Sequence, residues 1–380
     1  MGLREVNNKI TFANQLRGIA VLCVMVAHYT GIYWGARDLV SSYIHAPAAT
    51  GHGPHWPAYI LFPTLNYGPF GVALFFLISG FVIPFSLAKM GRLRFIMARA
   101  LRIFPTYWLA SAVTLTAMWL SSRYWGTPFD IDTRTLVANL ELIHVQKDLP
   151  TIDLVNWSLS IEIKFYVIAA LMWPFIRRSS ALALVNFALV ILAFLTWVPA
   201  SWGTFSLLGT ELSLDATKCE LMYMPFLFIG TLFHFALKSE ISPSTLCGSV
   251  LGVFLAFLMM WQKTTLAVQF WVVPANYGYA LIVFSTCYVA RARFKASRIL
   301  DFFADISYPL YLVHALIGYA TIRFLTDRGL RFNVAAVCAF IIVVGIAYAL
   351  HIIVEVRSAD LGKRLSTTKR AFRATQTDAA

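Results

Sequence analysis

Apolar residues in this chain recur in long unbroken runs. They do not follow the alternation of a half-buried strand or the narrow stripe of a soluble helix. Runs near 12–33, 67–88, 103–121, 157–176, 181–199, 221–238, 245–262, 268–290, 306–325 and 333–354 each approach the length that crosses a bilayer, about 20 residues. They predict an all-α, polytopic membrane protein of about ten transmembrane helices. The first, fourth and ninth runs are the most polar.

The connections set the orientation. Segment 89–102 carries Lys89, Arg92, Arg94, Arg99 and Arg102 and no acid. Segment 121–156 sets five acids, Asp130, Asp132, Glu141, Asp148 and Asp153, against Arg123, Arg134 and Lys147. Arg177 and Arg178, then Arg291, Arg293, Lys295 and Arg298, then the basic stretch after Glu355 restore positive charge on alternate connections. Positive loops face the cytoplasm, so both termini are expected there, with 34–66 and 121–156 as the large external loops. Only 323–332 is discordant, with Arg323, Arg328 and Arg331 against Asp327. Residues 1–365 read as one transmembrane domain. Residues 366–380 read as a polar cytoplasmic tail, expected to be mobile.

Composition agrees. The chain is 59% hydrophobic and 13% charged, about half the charged share of a soluble domain, and its mean hydropathy is +0.70. The net charge of +13 does not imply nucleic acid, because topology already explains where the basic residues fall. Cys23, Cys219, Cys247, Cys287 and Cys338 are far apart and read as packed free thiols. No removable signal peptide is apparent, so the first helix is expected to stay, in a multi-pass protein of the cell inner membrane. His45, His52 and His55 lack a metal-ligand pattern and read as solvated; no metal is expected.

Within this apolar background a few polar side chains stand out. Arg17 and His28 lie in the first run, eleven residues apart. At 100° per residue that is about three turns plus 20°, so both occupy one helical face, about 16 Å apart along the axis. A charge at that depth needs a polar cavity or a partner. Gly18 beside Arg17 lets a backbone or ligand come close. Arg99 and Arg102, three apart, also share a face. Glu162 needs a partner, with His28, an acceptor hydroxyl or Lys164 as candidates. Tyr308, Tyr311 and His314 share a face at spacings of three and are candidates for the same cavity, as is Ser79. His351 and Glu355, four apart, read as a local pair.

The Arg-x10-His pair resembles the signature of acyltransferase family 3. Four further stretches resemble that family in order: GVALFFLISGF at 71–81, FIMARALRIFPTYW at 95–108, NWSLSIEIKFY at 156–166 and ISYPLYLVH at 306–314. Glu355 sits where the family often ends its last helix. The resemblance spans nearly the whole chain. Ala73 replaces a common Asp, Ile163 and Lys164 replace an acid and Gln, and Val356 and Arg357 follow Glu355 where Pro is common. The family consists of bacterial integral membrane proteins that O-acylate sugars and other hydroxyl-bearing molecules. The resemblance therefore implies an O-acyltransferase, with acetyl as the expected group. It also implies acyl-CoA (acetyl-CoA first) as donor and a cell-surface or lipid-linked carbohydrate as acceptor.

In that chemistry His28 is the expected base, with Arg17 and Glu162 beside it. Arg99 and Arg102 are the expected seat for the phosphates of coenzyme A, because guanidinium forks bind phosphate bidentately. Direct transfer and a covalent acyl-enzyme on His28 or Ser79 both remain open. Two other functions fit the buried charges. A proton-coupled transporter moves solute without acyl-CoA, although no matching pair of broken spans is visible. A sensor or scaffold would tolerate His28→Ala. A small-molecule acceptor such as a macrolide is a further alternative.

Overall fold

The computed structural model describes residues 3–51, 53–54, 64–207 and 209–364. His52, His55 and the expected tail 366–380 lie outside the described residues. Helix α1 (Leu3–Val26) runs on through a π-helical stretch, Ala27–Ile32, and a last turn, Tyr33–Gly35. Then follow α2 (Arg37–Ile44), α3 (Tyr67–Met90), α4 (Arg92–Trp125), α5 (Thr133–Leu140), α6 (Asn156–Leu171), α7 (Trp173–Arg177) and α8 (Ala181–Trp197). An antiparallel hairpin, β1 (Thr204–Leu207) with β2 (Thr210–Ser213), pairs Thr204 with Ser213. The rest is α9 (Leu214–Leu221), α10 (Tyr223–Leu237), α11 (Pro243–Trp261), α12 (Val273–Val289), α13 (Arg298–Asp305), α14 (Ser307–Asp327) and α15 (Phe332–Leu350), which continues into a π turn, His351–Glu355.

Among the described residues, six helical stretches are long and apolar enough to cross a membrane: Thr11–Gly35, Tyr67–Met90, Arg92–Trp125, Leu214–Leu237, Pro243–Trp261 and Phe332–Arg364. The pair α13 and α14, bent by 73°, makes a seventh if it counts as one span. The runs expected at 157–176, 181–199 and 268–290 are filled by α6, α8 and α12, of 16, 17 and 17 residues. These are shorter than the usual span, because turns at Met172, Val198 and Ala290 end them early. Large apolar side chains such as Leu182, Val289 and Ile341 point outward from the bundle. A bilayer, not water, is the solvent for such a surface.

Small residues bring the inner helices together. A Cβ on Gly80 of α3 would stand 1.7 Å from the Leu227 carbonyl oxygen, and one on Gly230 of α10 would stand 2.1 Å from that of Leu77. The two helices therefore cross backbone to backbone. Gly18 does the same for α1: a Cβ there would lie 2.5 Å from the Leu300 carbonyl oxygen of α13. The space beside Arg17 thus receives another backbone, not a ligand. Asn14 donates to Asp301 at 3.1 Å, and Arg102 meets Glu355 at 3.6 Å. The start of α1, the start of α4 and the end of α15 therefore share one end of the bundle, called here the basic end. All five cysteines are free thiols. His45 is not solvated as expected. It is half-buried, with Nδ1 3.0 Å from the Pro128 carbonyl and its ring against Phe129.

Two consequences are measurable in detergent. Gly80→Ala should lower the melting temperature, by overpacking worth about 1–3 kcal/mol. Gly345→Ala, where a Cβ would meet nothing within 4 Å, should not; equal effects would refute the backbone crossing. Asp153, buried in the loop before α6, has its carboxyl pushed up to about 7 by burial, against an ordinary 3.8. The neutral acid is therefore the form the fold prefers. Stability should be greatest below about 4 and fall as pH rises toward about 7, and Asp153→Asn should flatten that slope in a pH series of melting curves.

Candidate active site

Three chambers succeed one another along the bundle. The basic-end chamber, about 350 Å³, is lined by the cations Arg17, Arg99, Arg102 and Lys363 and by the acids Asp305, Glu355 and Asp360, with Asn14 and Ser86 beside them. The middle chamber, about 80 Å³, shares Arg17, Arg99 and Arg102 with it and adds Ser79, Glu162, Tyr166, Tyr308 and Tyr311. The far chamber, about 730 Å³, shares Val72 and Tyr311 with the middle one and contains His28. Arg17 and His28 thus both face inward, as their spacing requires, but they line different chambers at different depths.

The three arginines are held unequally. Arg102 has Glu355 at 3.6 Å. Arg99 donates to Ser86 Oγ at 2.6 Å and lies over the rings of Phe95 and Tyr166. Arg17 has no hydrogen-bond or ion-pair partner among the described residues and lines two chambers. It is half-buried, and the carboxylates of Glu162 and Glu355 attract it without pairing with it. Glu355 joins Arg102 to His351, whose Nδ1 is 2.8 Å from its carboxylate. The expected local pair is present, and Arg102 completes a triad with it.

In the middle chamber the Glu162 carboxylate accepts from Ser79 Oγ at 2.7 Å and from the Tyr166 hydroxyl. Neither His28 nor Lys164 is its partner. Lys164 pairs instead with Glu220 at 2.6 Å. Tyr166 stands one turn beyond Glu162, a spacing visible in the sequence although the residue was not singled out there. Tyr308 donates to the Ile103 carbonyl at 2.9 Å, and Tyr311 exchanges a 2.7 Å hydrogen bond with Ser158. Tyr311 stands where the middle chamber meets the far one.

His28 is carried by the π-helical stretch that ends α1, closed by a hydrogen bond from the Tyr33 N–H to the His28 carbonyl. Such π turns change side-chain direction within an otherwise regular helix. Its Nδ1 lies 2.7 Å from the Tyr319 hydroxyl, and the two rings stack at 5.8 Å and 22°. Tyr319 is therefore the orienting partner that Glu162 was expected to be. It lies eleven residues after Tyr308, the interval that separates Arg17 from His28, and that spacing puts it on the same helical face as Tyr308 without naming His28 as its partner. His314 sits edge-on to His28, centroids 4.7 Å apart. Its Nδ1 faces the Leu310 and Tyr311 carbonyls at 3.2 and 2.9 Å and so must carry the proton. His314 lines none of the three chambers and abuts the site from behind.

The arrangement sets cations at one end, a carboxylate–hydroxyl cluster in the middle and an oriented imidazole in the largest chamber. Among the described residues, no three His, Cys, Asp or Glu side chains gather as a metal-binding group. Neither a curated protein nor a solved structure matched the chain. A family model described as an acyltransferase domain matches residues 10–352 of the 380. The chain accordingly belongs to acyltransferase family 3 and is a membrane acyltransferase.

Proposed function

We propose that this acyltransferase takes an acyl group, acetyl first, from acyl-CoA at the basic end and passes it to a hydroxyl at the far end. The acceptor is a cell-surface or lipid-linked carbohydrate. The basic end faces the cytoplasm, because Arg92, Arg94, Arg99 and Arg102 cluster there. On this reading α6, α8 and α12 complete a set of ten spans in the inner membrane, with both termini cytoplasmic. The observation that carries the proposal is the run of three chambers from Arg17 to His28, joined through shared lining residues.

Phosphates of coenzyme A suit the guanidinium forks of Arg17, Arg99 and Arg102. The pantetheine arm then runs through the middle chamber, where Glu162, Tyr166 and Ser79 offer acceptors and donors to its amides. At Tyr311 the thioester meets the far chamber. With Nδ1–H donating to Tyr319, His28 keeps Nε2 free to accept a proton. The acceptor O–H gives that proton to Nε2 as its oxygen attacks the thioester carbonyl. The C–O bond forms, the C–S bond breaks, and the leaving thiolate takes the proton back from His28.

One observation favours a covalent route as a second reading. Ser79 already donates to the Glu162 carboxylate at 2.7 Å, which is the geometry of a serine with its base. Acyl transfer to Ser79 in the middle chamber, then onward to the acceptor, would conserve the same atoms.

Mass spectrometry of envelope glycans from cells with and without the protein tests the assignment, with loss of an acyl mass expected in its absence. In reconstituted protein, His28→Ala should lower transfer by about 10²–10⁴-fold while acetyl-CoA still binds. Arg102→Gln should mainly raise the KM for acyl-CoA. A His28→Ala protein with unchanged turnover would overturn the proposal. Labelled acyl-CoA without acceptor should leave the protein unlabelled on direct transfer. A labelled band abolished by Ser79→Ala would establish the covalent route.

A further inference from the structure

Behind His28 stands a second imidazole to which the transfer described above gives no task. His314 of α14 is fully buried, and its ring sits edge-on to that of His28, with centroids 4.7 Å apart and planes at 77°. Its Nδ1–H is committed to the Leu310 and Tyr311 carbonyls of its own helix, at 3.2 and 2.9 Å. Nε2 is therefore a bare acceptor, and it is buried with no hydrogen-bond partner among the described residues. A buried acceptor left unpaired is costly, whereas an apolar side chain of similar shape would pack there without that cost.

The two rings are held in register from a second side. Tyr29, next to His28, donates its hydroxyl to the His314 carbonyl at 3.0 Å. Its ring crosses α14 at Gly318, where a Cβ would stand 2.1 Å from the Tyr29 oxygen. The next residue, Tyr319, lies 2.7 Å from His28 Nδ1. The titratable groups against His28 are thus His314 and Tyr319 of α14, with Tyr29 beside it on its own helix. The other helix packed on this stretch, α3, lines the same chamber with Gly68, Pro69 and Val72, none of which titrates. Among the described residues no Asp, Glu, Lys or Arg bonds to either imidazole.

Taking His28 as the base of the reading above, we propose that His314 is a positioning residue for the transfer. It stays neutral, and its Nε2 lone pair stabilises the imidazolium that forms when His28 takes the acceptor's proton. A neutral imidazole carries its partial negative charge at the unprotonated nitrogen, and attraction between that dipole and a cation at ring contact is strong in a low-dielectric interior. The attraction appears only as His28 becomes charged, so it lowers the barrier and leaves substrate binding unchanged. The proton stays on His28 Nε2 until the leaving thiolate takes it. A second proton on His314 would set two cations side by side.

The test uses the full chain in lipid nanodiscs. Diethyl pyrocarbonate acylates only unprotonated imidazole. The pH dependence of His28 carbethoxylation, read by peptide mass spectrometry, therefore reports its proton affinity without acyl-CoA or acceptor. In His314→Phe the midpoint should fall by about one unit, equivalent to about tenfold in proton binding. His314→Gln keeps an acceptor near the Nε2 position and should titrate close to the unaltered chain. His351 should titrate alike in all three. With submicellar octyl glucoside as acceptor, His314→Phe should lower kcat about tenfold at unchanged KM for acetyl-CoA, and His314→Gln should restore most of it. An unmoved His28 midpoint in His314→Phe, or equal losses in the two variants, overturns the inference. Should His314→Phe not fold, the 15N resonance of His314 Nε2 in the unaltered chain decides: it should move as His28 titrates, and an indifferent resonance overturns the inference. If His28→Ala abolishes transfer while the His314→Phe midpoint is unmoved, the base stands without His314. A shifted midpoint with unchanged turnover in His28→Ala would sink the base and leave the coupling of the two rings intact.

Discussion

A guanidinium inside a helix bundle with no direct hydrogen bond or ion pair among the described residues is the constraint around which this molecule is arranged. Arg17 lies within reach of two chambers and pairs with neither Glu162 nor Glu355. Arg99 and Arg102 line the same two chambers, and only Arg102 has a carboxylate. Like charges gathered in a low-dielectric interior repel strongly unless an anion joins them. The fold holds them in place by other means. Gly18 lets α13 press its backbone against α1, Ser86 and two aromatic faces fix Arg99, and Glu355 fixes Arg102. The outcome is three arginines gathered at one place, of which only Arg102 is ion-paired among the described residues.

The two π-helical stretches belong to the same design. One carries His28 and the other carries His351 and Glu355. A π turn gives up regular hydrogen bonding for one extra residue per turn, which rotates the rest of the helix about its axis. In α1 it turns His28 toward Tyr319 and the far chamber. At the end of α15 it brings Glu355 back onto Arg102. Both distortions occur where a polar side chain must meet a partner on another helix.

The polar groups are divided among the chambers. Arginines interleaved with Asp305, Glu355 and Asp360 line the basic-end chamber, the Ser79–Glu162–Tyr166 cluster stands in the middle one, and His28 stands in the far one. Tyr311 stands at the junction, hydrogen-bonded to Ser158.

The sequence by itself determined the membrane class, the positions of the main helices and the inward face shared by Arg17 and His28. Each of these comes from composition or from the local period of an α-helix, and needs no knowledge of neighbours. It also made His351–Glu355 legible, because four residues on a helix is a contact. The partners of the polar residues were not legible. Tyr319 to His28 spans 291 positions and Arg102 to Glu355 spans 253, and nothing in either local pattern encodes the other. His28, an acceptor hydroxyl and Lys164 were all candidate partners for Glu162, whereas packing gave it Ser79 and Tyr166. The π turns and the division into three chambers likewise arise from how helices cross and where backbones touch. Helical periodicity fixes which face of a helix is buried. Only packing between helices decides what that face meets.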